Sequence, residues 1–304
     1  MKEAAAPVTH PLYERLFMRV SFAWVVLIST PRTLNAHSLP EPNGLARLVD
    51  LSFLTNPGWL AAAHTVLLIA LGFYIMRVLC WLALPVALLV NVAVNTVENS
   101  QGAIHHAVQI VSLVLLAQTV AHYYGLWLGR GRARAGFGLE EREISWAQQA
   151  VAAAYFVAGL TKLIQTHGAW IFRARFIGVQ IFKTAYQEYY NYLDPAGLDQ
   201  QVAIAQFAAA HGTIIALIAG MGLGLELLAP AVLLGRWWGL VLGCGFIAFH
   251  LSISSVMQLS FVFHQLLVLI FIVSPIYWVV QLGRAAAQLV RKRNAIPPAH
   301  IPMI

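Results

Sequence analysis

The chain has 304 residues, of which 60% are hydrophobic and only 10% are charged. A soluble globular domain carries about 25% charged residues, so this composition excludes an ordinary soluble protein and indicates an integral membrane protein. The net charge of +7 does not indicate nucleic-acid binding, because the basic residues cluster at the ends of apolar segments and no nucleic-acid-binding motif is present.

Apolar runs of about 20 residues are long enough to cross a bilayer. They predict an all-α fold, a polytopic membrane helix bundle of about eight transmembrane helices in a single domain over 1–304, with its core over 16–283. The predicted spans are 16–35, 58–77, 79–97, 103–125, 145–165, 203–234, 237–255 and 257–281. The span 203–234 is unusually long, and Pro230 is expected to kink or end it.

Basic residues mark one side of this bundle. With both termini cytoplasmic, a set of basic groups at the ends of the spans falls on the cytoplasmic side, as the positive-inside rule requires. These groups are Lys2, Arg15, Arg19, Arg77, Arg130, Arg132, Arg134, Arg236, Arg291, Lys292 and Arg293, the last three in a basic C-terminal tail over 284–304. We therefore expect a protein of the bacterial inner membrane.

The longest connection on the outer side, 166–202, mixes aromatic residues with Arg173, Arg175 and Lys183. This composition is typical of an amphipathic segment that lies on the outer leaflet, with membrane lipid as its partner. A plain interfacial helix and a lid over a site both fit the pattern.

Lys162 lies in the apolar run Ala154–Leu163. A charged side chain in hydrocarbon is costly unless it snorkels, pairs or gives up its proton. Burial favours the neutral amine, and a neutral amine is a usable general base. The sequence therefore allows two interpretations of Lys162, a catalytic base or a cation that snorkels to the outer interface.

Other polar side chains are predicted at the same depth, near the outer ends of different helices. They are His64, Asn91, Asn95, Glu98, Asn99, His105, His106, His211, His250 and His264. Intramembrane polar groups usually face the bundle interior, so we expect one polar pocket that opens to the outer leaflet. The alternative is structural, with the Asn residues joining helices and His64, His211 and His264 in packing roles. We assign Glu226 to the inner side, as a structural partner for Arg236. No metal-binding motif is present, so we expect no metal.

Three segments together resemble the vitamin-K-dependent gamma-glutamyl carboxylase family and its bacterial relatives, the horizontally transferred transmembrane (HTTM) domain proteins. The first is Tyr-Phe-Val-Ala-Gly-Leu-Thr-Lys-Leu over 155–163, followed by Trp170. The second is the pair His105-His106 at the start of a predicted helix. The third is Phe-His-Leu over 249–251, with Ser274-Pro275 downstream.

The resemblance implies an enzyme that oxygenates a reduced quinone (menaquinone, ubiquinone or vitamin K hydroquinone), with dioxygen and carbon dioxide as possible co-substrates. It implies that Lys162 is the base, that His106 hydrogen-bonds the oxygenated intermediate and that His250 holds quinol or substrate. The remaining residues assigned to the quinone site are Asn95, His105, Tyr155 and Gly159.

The chain departs from that family in two respects. It ends at Ile304 without the large luminal domain of the carboxylases, and His105 stands where the family has Asn. We therefore expect the quinol chemistry to act on another substrate, a peptide, lipid or small molecule, or to need a separate soluble subunit. Two alternatives stay open: a DoxX-like quinol oxidoreductase, and a non-enzymatic membrane binding, transport or assembly protein.

Overall fold

In the computed structural model the described residues, 9–34, 42–100, 106–129, 138–193, 195 and 197–294, form helices and no β-strand. Twelve α-helices occur in these ranges. They are α1 Leu12–Ile28, α2 Pro57–Met76, α3 Cys80–Glu98, α4 His106–Gly129, α5 Leu139–Gln165, α6 Trp170–Ala174, α7 Ile177–Tyr192, α8 Leu198–Ala210, α9 Gly212–Leu227, α10 Arg236–Met257, α11 Val262–Leu267 and α12 Pro275–Asn294. The all-α class predicted from the sequence is confirmed for this part of the chain.

Four of these helices, α2, α3, α4 and α10, are long and apolar enough to cross a membrane. Two bent pairs, α8 with α9 and α11 with α12, raise the number of candidate spans to as many as 6. The helix α1 has only 17 residues and contains Glu14, Arg15 and Arg19. The helix α5 begins with a cluster of charged residues at 140–143. By length and composition, the described helices thus support a membrane protein with four to six spans.

The helix α5 packs against α4 and α9. It begins at Leu139, six residues before the predicted span 145–165, and is 27 residues long. Glu140 and Glu141 lie in its first turn, where negative charge stabilises a helix N-terminus. At 1.5 Å per residue, α5 is about 40 Å long and can connect both faces of a bilayer.

The predicted spans 203–234 and 257–281 are both broken. The first bends by 95° at His211, between α8 and α9. The helix α9 ends at Leu227, and a 3-10 segment, Ala229–Leu234, contains Pro230, in line with the predicted end at this proline. In the second, a π-helix over Val268–Val273 ends at Ser274, whose φ is +49°, and the chain continues into α12 at an angle of 41°.

The connection 166–202 contains α6, α7 and the start of α8. It exposes several large apolar side chains, although α7 itself packs along α8. The exposed side chains include Phe172, Phe176, Val179, Phe182 and Tyr190. An amphipathic outer segment remains the prediction for this stretch.

The two ends of α5 define two regions of the bundle. At its start, charged residues of α5 contact the segment 9–19 and Arg77, and Arg236 contacts the same segment; we call this region the basic end. Between the ends lies a core whose largest fully buried side chains include Phe22, Phe246 and Phe271. Lys162 is 19 residues after Glu143 and so lies about 28 Å away along α5, at the opposite end.

Candidate functional site

Lys162 forms an ion pair with Glu226 of α9. Its Nζ donates to both carboxylate oxygens, at 2.6 Å to Oε2. The ring of Trp170 lies 5.5 Å from Nζ and adds a cation–π contact. The lysine side chain is 30% exposed, whereas that of Glu226 is only 6% exposed. The pair is therefore buried on the carboxylate side and can be approached from the lysine side.

This pairing corrects the prediction that Glu226 contacts Arg236. Arg236 instead donates to both carboxylate oxygens of Glu14, at 2.7 and 2.9 Å, at the basic end. The prediction was wrong because it treated the chain from residue 203 to Pro230 as one straight helix, in which residue number fixes depth. The bend at His211 and the 3-10 segment after α9 remove that relation.

Gly159 allows α5 and α9 to approach each other closely at this pair. A Cβ at this position would lie 3.0 Å from Cβ of Glu226 and 3.3 Å from Cδ2 of Leu227. Real Cβ atoms rarely make contacts that short, so a larger residue would push α9 away from α5. Gly159 therefore holds Glu226 within reach of Lys162, which is three positions further along α5.

Tyr155 begins the same face of α5, since residues 155, 159 and 162 follow helical spacing. The Tyr155 hydroxyl and Nε2 of His250 are hydrogen-bonded at 2.7 Å. The Tyr155 ring stacks on Phe246, with centroids 4.2 Å apart. The ring of His264 stands edge-on to Tyr155 at 6.0 Å and lies 5.7 Å from the ring of His250. Tyr155, Gly159 and Lys162 thus lie on one face of α5, and the hydrogen bond of Tyr155 joins this face to His250 of α10.

Two imidazole nitrogens in this cluster lack hydrogen-bond partners. The Nδ1 atoms of His250 and His264 are both buried, and neither is bonded within the described part of the chain. His250 as a whole is only 5% exposed. Buried polar atoms in proteins are nearly always hydrogen-bonded, so these two unpartnered nitrogens make the cluster a candidate for ligand binding.

The structure places Asn95 in a different cluster. Asn91 of α3 donates to Thr30 Oγ1 at 2.9 Å and accepts a bond from Ser112 of α4 at 2.7 Å. The Asn95 amide donates to the backbone carbonyl of Asn91 at 2.9 Å. No described hydrogen bond or ion pair joins Asn95 to Lys162 or His250. His105 and the side chain of His106 lie outside the described residues, so their predicted roles stay predictions.

Sequence reasoning missed two members of the cluster. Glu226 carried the same signal as Lys162, an ionisable residue in an apolar helix, but was assigned to the wrong end. His264 was assigned a packing role, and only its proximity to Tyr155 and His250 separates it from the other histidines.

No group of three or more His, Cys, Asp or Glu side chains in the described ranges could hold a metal ion. Comparisons with known proteins give no further guide, because no family model, no curated protein and no solved structure matches this chain.

Proposed function

We propose that the chain is an integral membrane enzyme that deprotonates a quinol and activates it for oxygenation, with Lys162 as the base. The proposal rests on two contacts that occur together, the Lys162–Glu226 ion pair and the Tyr155–His250 hydrogen bond. An acid–base pair, a phenol and two imidazoles with unpartnered nitrogens adjoin apolar walls at one end of the bundle. These are the groups that binding and deprotonating a lipid-soluble phenol require.

The carboxylate of Glu226 changes the expected role of Lys162. A lone lysine would become a base by losing its proton to the medium, whereas a paired lysine can pass that proton to the carboxylate beside it. The pair then consists of a neutral amine and a carboxylic acid, and the amine accepts a proton from a bound hydroxyl group. The proton is held at Nζ, and burial of Glu226 limits exchange with water.

The other side chains of the cluster bind and orient the ligand. The Nδ1 atoms of His250 and His264 can each form one hydrogen bond with it, and Phe246 and Phe261 supply apolar surface. Tyr155 fixes the His250 ring through Nε2, which leaves Nδ1 as the ring atom that can bind ligand. A bound quinol would supply the reducing equivalents that oxygenation requires.

The proposal includes the finer architecture. Counting α1 and α5 as spans beside the six candidates gives the eight predicted, since both helices contribute buried residues to the core. The basic end then faces the cytoplasm together with both termini, and the Lys162 site faces the periplasmic leaflet of a bacterial inner membrane. The substrate that the activated quinol modifies is a peptide, a lipid or a small molecule, presented directly or by a separate soluble subunit.

The proposal is tested by measuring oxygen uptake by the purified protein with reduced menaquinone or ubiquinone. Mass spectrometry of the quinone identifies the product. We expect Lys162→Arg to lower turnover at least about a hundredfold, because a guanidinium keeps the charge but cannot act as a base. Lys183→Arg, at an exposed position of α7, is the matched control and should keep turnover within about twofold.

Three outcomes separate the functional classes. Lysine-dependent formation of a quinone epoxide supports the oxygenase. Lysine-dependent uptake that yields plain quinone contradicts oxygenation and supports a DoxX-like oxidoreductase. No lysine-dependent uptake contradicts the proposal and favours a binding, transport or assembly protein.

A further inference from the structure

A cavity lies between α3, α4 and the segment that contains Gly44 and Leu45. Its volume is about 270 Å³. It is lined by Asn43, Gly44, Leu45, Val92, Asn95, Thr96, Asn99, Val108, Gln109 and Ser112. None of these residues is charged, and amides and hydroxyls alternate with apolar side chains. The wall is therefore suited to an uncharged molecule that has both polar and apolar parts.

The polar wall is held in place by the fully buried Asn91. Its amide donates to Ser29 Oγ at 3.2 Å and to Thr30 Oγ1 at 2.9 Å, which ties α3 to the end of α1. Its Oδ1 accepts the hydroxyl of Ser112 at 2.7 Å, which ties α3 to α4. The cavity wall is thus supported by a network whose donors all have acceptors.

Asn95 ends this network with an unpartnered acceptor. Its amide nitrogen donates to the Asn91 carbonyl at 2.9 Å, which fixes the orientation of the side chain. Its Oδ1 is buried and has no hydrogen-bond partner within the described residues, and Asn95 is only 7% exposed. A buried carbonyl without a donor is costly, so the atom calls for a donor from a ligand.

The chemistry of the lining selects the ligand. An ion would lose its hydration here without meeting an opposite charge, which is strongly unfavourable. The free acceptor needs a hydroxyl or N–H donor, and Val92, Val108 and Leu45 need apolar atoms against them. The volume is below the roughly 300–1,000 Å³ of a pocket for a whole drug-sized molecule, so only a head group enters and its chain stays outside.

We propose that this cavity binds the head of an uncharged membrane amphiphile that carries a hydroxyl group, which donates to Asn95 Oδ1. Two membrane components have that chemistry, an acylglycerol and a quinol. The proposal is independent of Lys162 chemistry, because it rests on a separate cavity and a separate polar network.

Photo-crosslinking of the full chain in detergent tests the proposal, with a diazirine-bearing diacylglycerol as one probe and a photoreactive quinol analogue as the other. Val92→Phe and Val108→Phe each fill the cavity without removing a polar group. We expect either change to lower labelling of α3 and α4 by at least about tenfold. Asn95→Leu removes the acceptor of the proposed ligand bond, together with the bond from the Asn95 amide to the Asn91 carbonyl, and should lower labelling about fivefold.

Leu89→Phe is the matched control, since it makes the same kind of change at a position of α3 that is 67% exposed and does not line the cavity. It should leave labelling within about twofold. Labelling of cavity residues by either probe, lost in the filled variants, supports the proposal and identifies the source of the ligand. Labelling that the filled variants do not change, or that falls only on exposed residues such as Leu89, overturns it. The two filling variants lie on different helices, and thermal unfolding of each shows which is folded for the comparison.

Discussion

The two ends of α5 hold ionisable groups in contrasting ways. At the basic end, four carboxylates contact arginine side chains and the imidazoles of His10 and His122, and each carboxylate makes at least two such contacts. They belong to Glu14, Glu140, Glu141 and Glu143. At the other end, Glu226 meets a lysine, and the neighbouring imidazoles keep unpartnered nitrogens. Arginine does not give up its proton near neutral pH, whereas lysine, histidine and tyrosine can. The first arrangement fixes helices in place, and the second is suited to moving protons.

Mutations at the basic end should lower the stability of the fold. Glu143 is almost fully buried and binds both Arg77 and Nδ1 of His122, the latter at 2.7 Å. Glu143→Gln leaves the arginine without its counter-charge, so we expect a loss of about 3 kcal/mol in the free energy of unfolding. Chemical denaturation of the purified variant measures it. The exposed Glu188→Gln is the control, with an expected change below about 0.5 kcal/mol. Equal stability of the two variants would contradict a structural role for the basic end.

Mutations at the opposite end of α5 should lower activity. His264→Phe keeps an aromatic ring against Tyr155 and Phe261 but removes the unpartnered Nδ1. We expect quinol-dependent turnover to fall about tenfold, because the ligand loses one good hydrogen bond. The unfolding temperature should change little. His64→Phe makes the same substitution where the histidine bonds only backbone carbonyls. If both variants lose turnover equally, His264 has no special place at the site.

Gly159 lies where α5 and α9 approach each other closely beside the Lys162–Glu226 pair, so a larger side chain there should lower the stability. Gly159→Ala places a methyl group against Glu226 and Leu227 and should cost about 1–3 kcal/mol through overpacking. Gly72→Ala on α2 has open space around its Cβ and should instead stabilise its helix by about 0.5–1 kcal/mol. Thermal unfolding of the two variants compares them directly. A stabilised Gly159→Ala protein would show that α5 and α9 need not approach so closely.

The smallest expected effect is a pH dependence at the basic end. Burial alone would raise the pKa of Glu141, but hydrogen bonds from the His10 ring and backbone lower it below the usual 4.5. The carboxylate is thus more acidic in the folded protein, so its stabilisation is present above about pH 4.5 and is lost as the pH falls through the lowered value.

Unfolding of the wild type and Glu141→Gln across this range measures that contribution. We expect the wild type to be more stable by about 1 kcal/mol at pH 6 and the difference to shrink as the pH falls below about 4.5. A difference that stays constant with pH would show that the carboxylate charge contributes nothing.

The sequence predicts much of this structure because hydropathy and helical spacing act locally. The apolar runs locate α2, α3, α4 and α10, and the spacing of residues 155, 159 and 162 places them on one face of α5. The depth of a residue in the membrane cannot be predicted locally in a long apolar run, since it depends on whether the helix stays straight. Because the helix bends at His211, the assignment of Glu226 as a partner of Arg236 was wrong. The contacts of Asn95 could not be predicted from hydropathy either, since its side chain bonds its own helix in a network that includes α4.

The charged start of α5 also has a consequence for biosynthesis. A ribosome makes the chain from its N-terminus, so the partners of Glu140, Glu141 and Glu143 all emerge before these carboxylates do. Those partners are His10, Arg15, Arg19, Arg77 and His122. When α5 leaves the translocation machinery, its acidic first turns meet partners that have already been synthesised. The start of α5 can therefore make these contacts before α9 and α10 have been synthesised.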